Sequence, residues 1–317
     1  MHILVTGSAG HLGEALVRTL REHAHDVVGL DRLASPHTTI VGSIVDRACV
    51  EQAVQGCDVV LHAATLHKPH IESHSAREFV DVNVVGTLNL LVAAAAQRVR
   101  AFVYTSTTSV FGSALRPPAG APAVWVTEDL APIARNIYGV TKRAAEDLCE
   151  LFHREHALPV LILRTSRFFP EEDDLDATRL LYVDENVKAN EFLYRRVDIE
   201  DAVDAHVCAI ARASALGFGR YIVSATTPFA ASDAAELGRD APAVLARRVP
   251  AYVAEYARRG WSMYPTLDRV YDNTRARHDL GWHPRHDFRT VLQNLQSGAD
   301  PRSALARTIG YKGYHRH

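Results

Sequence analysis

Residues 2–13 read HILVTGSAGHLG, an apolar β-rich run that breaks into glycines at positions 7, 10 and 13. The run has strand composition, and the pattern from residue 11 to about residue 23 predicts an amphipathic helix. Gly7, Gly10 and Gly13 therefore sit where a strand turns into a helix. Glycines there let backbone amides approach a pyrophosphate, and the helix start, with His11 and Leu12, adds free donors and the positive end of its dipole. A glycine-rich turn without a ligand needs none of these neighbours. The next strand, DVVGLD, ends on Asp31, about 20 residues past the glycines, where a carboxylate can accept hydrogen bonds from both hydroxyls of an adenosine ribose. Asp31 would repel a 2′-phosphate, with Arg32 beside it as partial compensation. NAD is therefore expected in preference to NADP.

Outward from that stretch, short apolar runs alternate with helical patterns. DVVGLD precedes a helix from about Asp46, DVVLHAA precedes one at about 76–97, and AFVYTS, a long helix around YGVTKRAAEDLCELFHREH and the strand LPVLILRT follow. This βαβ series predicts an α/β fold, a Rossmann-type doubly wound parallel sheet with helices on both faces. After Arg164 come an acidic loop, FFPEEDDLD, a helix in VDIEDAVDAHVCAIARA and a strand in GRYIVSA; beyond Thr226 the chain holds short helices, prolines and aromatics. The expected division is a dinucleotide-binding domain of residues 1–167 plus about 197–225. A smaller, mainly helical substrate region then comprises about 168–196 plus 226–317. One aperiodic stretch, 112–135, reads as a functional loop because long loops inside compact domains usually carry function.

With 317 residues and 47% apolar composition the chain can bury a large core. Lys plus Arg number 35 and Asp plus Glu 37, so no broad basic field exists for nucleic acid or an anionic membrane. MHILVTG enters a strand without a basic leader, and no apolar run reaches the roughly 18 residues of a membrane span. Four scattered cysteines point to a reducing compartment, and the expected location is cytoplasmic. Histidines number 17, with four in HKPHIESH (residues 67–74), but their spacing around Pro69 is a poor ligand pattern and no metal is expected.

Asn136 to Lys142 reads NIYGVTK, placing Tyr138 and Lys142 at i and i+4 on one helix face. Any helix surface offers such a pair. A nearby ammonium and the positive charge of an oxidised nicotinamide, however, both favour the phenolate, which would let Tyr138 take a hydroxyl proton while hydride leaves the same carbon.

Together the residues resemble the extended short-chain dehydrogenase/reductases, the branch of nucleotide-sugar epimerases and dehydratases. The resemblance runs nearly the full length, through TGSAGHLG, Asp31, LHAAT, VNVVGTLNLL, FVYTSTTSVFG, TEDLAP, YGVTK and ARHDLGWHP. It implies a catalytic Tyr138 as acid/base, with Lys142 on the nicotinamide ribose and lowering the tyrosine pKa, and Thr107 hydrogen-bonding the reacting oxygen. Without it, Thr107 reads as ordinary strand-end β propensity. Cofactor contacts are implied at Ala63 and Ala64 of LHAAT and at Ser43 and Ile44, where a Gly-Ser-Ile takes the place of the family's Gly-Asp-Ile/Leu. Pairing through helices 76–97 and 138–156 is the family habit, so a homodimer is possible.

Departures bear on the substrate. The acidic residues that 4,6-dehydratases carry after the threonine are here Thr108 and Ser109, which cannot perform the elimination. The family's Arg-x-x-Asn appears as Arg164 to Arg167. Arg167 either pairs with a substrate anion or neutralises the acidic run 171–174. Tyr194, followed by Arg195 and Arg196, stands where many epimerases place an arginine on the diphosphate. His67 is a candidate substrate contact, although a solvated loop histidine is the simpler expectation. The leading expectation is an NAD-dependent epimerase or dehydrogenase acting on a secondary hydroxyl of a sugar or nucleotide sugar. An NAD(P)-dependent dehydrogenase of a free sugar, sugar acid or other small alcohol is the alternative, and a non-catalytic dinucleotide sensor a more distant one.

Overall fold

The computed structural model describes residues 1–118, 120–172 and 176–313. Asp173 and Asp174 of the acidic run lie outside the described residues.

Among the described residues the strands are β1 (His2–Thr6), β2 (Asp26–Asp31), β3 (Ile40–Val41), β4 (Val59–His62), β5 (Ala101–Thr107), β6 (Val124–Val126), β7 (Val160–Thr165), β8 (Phe218–Val223) and β9 (Arg269–Tyr271). Seven make one sheet in the order β3-β2-β1-β4-β5-β7-β8, and every pairing in it is parallel. Parallel strands are covered on both faces, which explains their near-continuous apolar sequence: every residue of β4 and β7 is buried. One face packs against helices His11–Glu22 and Ile199–Leu216. The other packs against Arg47–Val54, Ala76–Gln97 and Ile137–His156. The order of strands reverses between β1 and β4, and in open parallel sheets ligands bind at the carboxyl ends beside such a reversal.

Two features differ from the sequence expectation. The 112–135 stretch is not wholly loop: a one-turn helix at Ser113–Leu115 and β6 interrupt it. The three residues of β6 pair with β9, far along the chain, so local pattern could not reveal them. The helix Ala76–Gln97 is, by length and composition, long and apolar enough to cross a membrane. Its apolarity has a use within the fold, because Leu90, Leu91, Ala93 and Ala94 are buried in the core between helix and sheet. That helix also contains a π-helical stretch, Asp81–Val85.

A separate apolar core lies under β6 and β9, built from residues 189–194 and from the segment beyond Ala225, including Leu237, Leu245, Tyr256, Phe288 and Leu292. All four cysteines are free thiols; Cys57 and Cys149 are buried.

Candidate active site

A cavity of about 540 Å³ opens along the carboxyl ends of the central strands. Its wall at one end is the glycine turn. Gly7 has φ +76°, and a Cβ there would stand 2.8 Å from the Ala64 nitrogen; at Gly13 a Cβ would meet the Gly7 carbonyl at 1.8 Å. Glycine at 7 thus serves the turn, and glycine at 13 the close approach of helix to strand. Gly10 N–H donates back to the Gly7 carbonyl at 3.0 Å, closing the turn. The Asp31 carboxylate accepts from Ala9 N–H at 3.0 Å and Leu33 N–H at 2.9 Å, which holds it at the tip of β2 on the cavity wall. His11, Leu12, Arg32, Ser43, Ile44, Ala63 and Ala64 line the same cavity. A glycine cradle at a helix N-terminus with an anchored carboxylate at the end of the second strand fits a dinucleotide with free ribose hydroxyls.

Ala64 is fixed by a relay running under it. Its N–H donates to Thr6 Oγ1 at 3.2 Å, Thr6 Oγ1 meets His62 Nδ1 at 2.8 Å, and His62 Nε2 meets Thr87 Oγ1 at 2.9 Å. Because Thr87 spends its proton on the Asn83 carbonyl at 2.7 Å, it accepts from Nε2–H, so Thr6 is the donor to Nδ1. Burial holds the His62 pKa well below its ordinary value, consistent with a neutral ring.

At the other end stand Thr107, Tyr138 and Lys142. Thr107 closes β5, and its hydroxyl accepts from Ser109 N–H at 3.1 Å. Tyr138 and Lys142 occupy the first turns of Ile137–His156, started by Asn136, whose side chain accepts from Gly139 N–H at 2.9 Å. Burial pushes the Tyr138 phenol up to about 12, while the nearby Thr107 hydroxyl draws it down. Lys142 Nζ donates to the Thr105 carbonyl at 2.6 Å and lies 4.0 Å from the centroid of the Tyr104 ring. Burial pulls its pKa down to about 7, opposed chiefly by the Glu146 carboxylate one turn on. The protein's own charges show no lowering of the phenol by Lys142: burial raises it, and Thr107, which lowers it, is outweighed.

Behind the site, buried Glu146 receives Ser106 Oγ at 2.6 Å and both Nε and Nη2 of buried Arg164, at 3.1 and 2.7 Å. The sequence reading took Arg164 only as the start of a motif. It packs a charge pair between the ends of β5 and β7 and the helix that carries Tyr138 and Lys142.

The remaining candidates divide. Thr108 and His67 line the cavity. His67 is not a solvated loop residue: its ring stacks on Phe169 at 5.5 Å and meets His70 edge-on at 4.3 Å. Among the described residues no set of three His, Cys, Asp or Glu side chains is placed to hold a metal ion. Arg167 lines the cavity and donates to the Glu171 and Glu172 carbonyls at 2.9 and 2.6 Å, bracing the following loop. Tyr194 is corrected: it belongs to the second core, 8% exposed, and is absent from the cavity wall. Its ring instead carries two guanidiniums, Arg195 at 5.5 Å and Arg269 at 5.8 Å, and both of these do line the cavity. Arg269 escaped the sequence reading because β9 reaches the site only by pairing with β6.

This geometry agrees with the comparisons. The low-salt glycan biosynthesis protein Agl12 of Haloferax volcanii is 33% identical over 53% of this chain and 57% of its own length. The chain's match thus spans about half the length of the first curated relatives. The UDP-glucose 4-epimerase of Corynebacterium glutamicum is 25% identical over 93% of this chain and 94% of that protein. Among solved structures, a short-chain dehydrogenase/reductase superfamily protein of Agrobacterium tumefaciens, crystallised with NAD, superposes with a TM-score of 0.66 at 24% identity, covering 97% of this chain and 99% of that one; the likeness establishes the fold. The family model for the NAD dependent epimerase/dehydratase family matches residues 3–223, and with the greater part of its length so matched, the chain belongs to that family.

Proposed function

We propose that the protein is an NAD-dependent epimerase or dehydrogenase that oxidises a secondary hydroxyl of a sugar or nucleotide sugar. The observation that supports this best is that Thr107, Tyr138 and Lys142 meet on the wall of the cavity whose other end is the glycine cradle and Asp31. Bound NAD supplies a hydride acceptor and a positive charge. Gly7, Gly10, His11, Leu12 and Gly13 present backbone to its pyrophosphate, Asp31 takes the ribose hydroxyls, and Lys142 faces the second ribose. Tyr138 accepts the proton of the substrate hydroxyl, and Thr107 hydrogen-bonds the same oxygen. A phenol held near 12 is a weak base, so a cation beside it is what makes Tyr138 competent. Thr108 and Ser109 carry no acid for water elimination, which leaves oxidation and re-reduction, or oxidation alone.

The test is incubation with NAD and a panel of nucleotide sugars, free sugars and sugar acids, followed by product chromatography and NADH absorbance. Interconversion of epimers without NADH release marks an epimerase, and NADH formed in step with product marks a dehydrogenase. NAD binding with no turnover of any panel member sinks the proposal.

A further inference from the structure

The helix that starts at the glycine turn receives two contacts from the far end of the described chain. His11, its first residue and part of the cavity wall, donates from Nε2 to the Gly310 carbonyl at 3.1 Å. Glu14, in the first turn of the same helix, is buried; its Oε1 receives Arg18 Nε at 2.7 Å, with His37 Nε2 at 3.4 Å, and its Oε2 receives Lys312 Nζ. The segment that makes these contacts is itself fixed. Helix Ala304–Ile309 begins at Ser303, whose hydroxyl and N–H donate to the two carboxylate oxygens of Asp198 at 2.6 and 3.2 Å, and it ends on Ile309, buried in the core beside helices His11–Glu22 and Ile199–Leu216. Gly310 then takes φ +61°, a conformation that strains any β-branched residue, and its carbonyl meets His11.

A carboxylate in the first turn of a helix opposes an anion bound at that helix's N-terminus: the two repel each other and share the same positive dipole end. Glu14 is such a carboxylate, at the helix start that the glycine turn presents to a pyrophosphate. Arg18 answers it from one turn further along, with its side chain 37% exposed; Lys312, at 24%, is the less screened of the two cations.

We infer that Gly310 and Lys312 are positioning residues of the dinucleotide site: by holding His11 and neutralising Glu14, their segment keeps the start of the helix able to take the pyrophosphate and sets how tightly NAD is retained. The inference concerns the cofactor, so it stands apart from the identity of the alcohol that is oxidised.

The test is calorimetric titration of NAD into wild type, Lys312→Met, Lys312→Arg, Glu14→Gln, the double variant of Lys312→Met with Glu14→Gln, and Gly310→Val. Lys312→Met should weaken NAD about fivefold, the size of a charge effect at a helix end. Its melting temperature without NAD should stay within about 2 °C of wild type, because a partly exposed ion pair adds little to the fold. Lys312→Arg and the double variant should bind NAD within about twofold of wild type, since one restores the cation and the other removes the acid it answers. Glu14→Gln alone should bind no more weakly than wild type. Gly310→Val should reproduce the loss with Lys312 intact, because the carbonyl and the residues after it must move. Unchanged NAD affinity in Lys312→Met or in Gly310→Val overturns the inference. So does a double variant no tighter than Lys312→Met, since an uncompensated loss marks structural support rather than charge. No binding of NAD by wild type overturns the inference together with the cofactor site. Should Gly310→Val fail to fold, as judged by circular dichroism, the Lys312 and Glu14 variants decide alone.

Discussion

Asn83 Nδ2 donates to the Thr141 hydroxyl at 3.1 Å, joining the π-helical stretch of one helix to the turn of another that lies between Tyr138 and Lys142. The same side chain accepts from Leu66 N–H at 2.8 Å and Thr65 Oγ1 at 2.9 Å, and donates to the Leu66 carbonyl at 2.9 Å. One buried amide thus ties the loop after β4 to the helix that carries Tyr138 and Lys142. The π stretch is what turns Asn83 into this gap, in keeping with the frequency of such bulges at functional sites.

Replacing Asn83 by Leu strands the Leu66 backbone groups, and each unsatisfied buried group costs about 1–3 kcal/mol. Asn83→Leu should lower stability by about 3 kcal/mol in denaturant melts and weaken NAD binding, since the 63–66 loop loses its anchor. A variant with wild-type stability and NAD affinity would show that the amide is dispensable.

Tyr138→Phe keeps the buried ring and removes the phenol. Turnover should fall at least about 1,000-fold while NAD affinity stays within a few-fold, because the loss lies in proton transfer rather than ground-state binding. Steady-state kinetics beside a fluorescence titration of NAD checks this. Comparable turnover in the variant would remove Tyr138 from the chemistry.

Lys142 gives a pH signature in the NAD-free protein. Its folded pKa is drawn from 10.5 to about 7. Between those values the unfolded chain holds a proton that the folded one lacks, so this group's contribution to stability rises with pH across the window and is lowest below about pH 7. Lys142→Met removes the titration. The melting temperature of the variant relative to wild type should therefore be highest near about pH 6 and decline toward about pH 10. A difference constant across that range rules out a depressed lysine.

The pair Glu146–Arg164 is buried on both sides, at 0% and 2% side-chain exposure. Arg164→Met alone leaves the carboxylate unpaired and should cost about 3–5 kcal/mol, whereas Arg164→Met with Glu146→Leu should recover much of that loss. Additive losses in a double-mutant cycle would contradict the coupling. Arg220, 3.7 Å from Glu146, is the group able to soften the single-variant effect.

Gly13→Ala places a Cβ 1.8 Å from the Gly7 carbonyl, a backbone atom that cannot move aside. Loss of about 3 kcal/mol and of NAD binding is expected. Gly260→Ala, at φ +64° with open space around it, serves as control and should cost only about 1 kcal/mol. A loss at Gly13 no larger than at Gly260 would mean that the helix yields to the added Cβ and that close packing does not govern position 13.

Much of this was legible in one dimension because it is written locally. The glycine turn, Asp31 at the end of β2, and Tyr138 and Lys142 one helical turn apart are each set by spacing along a single element or a single βα unit, where chain geometry permits few arrangements. The strands of the large sheet were legible for the same reason: both faces are covered, so they are apolar without interruption. What the sequence left open is what depends on distant segments meeting. Tyr194 looked like a substrate contact because it stands where many epimerases place an arginine, yet it is buried in the second core while Arg195 lines the cavity. Arg269 reaches the cavity only through the pairing of β6 with β9, two three-residue strands too short to announce themselves. The Lys142 pKa likewise depends on burial beneath Tyr104 and on Glu146, and desolvation is a property of the surrounding fold rather than of any stretch of chain. The sequence by itself determined the glycine turn, the place of Asp31 and the spacing of Tyr138 and Lys142, while tertiary packing alone decided which charges line the cavity and how burial shifts them.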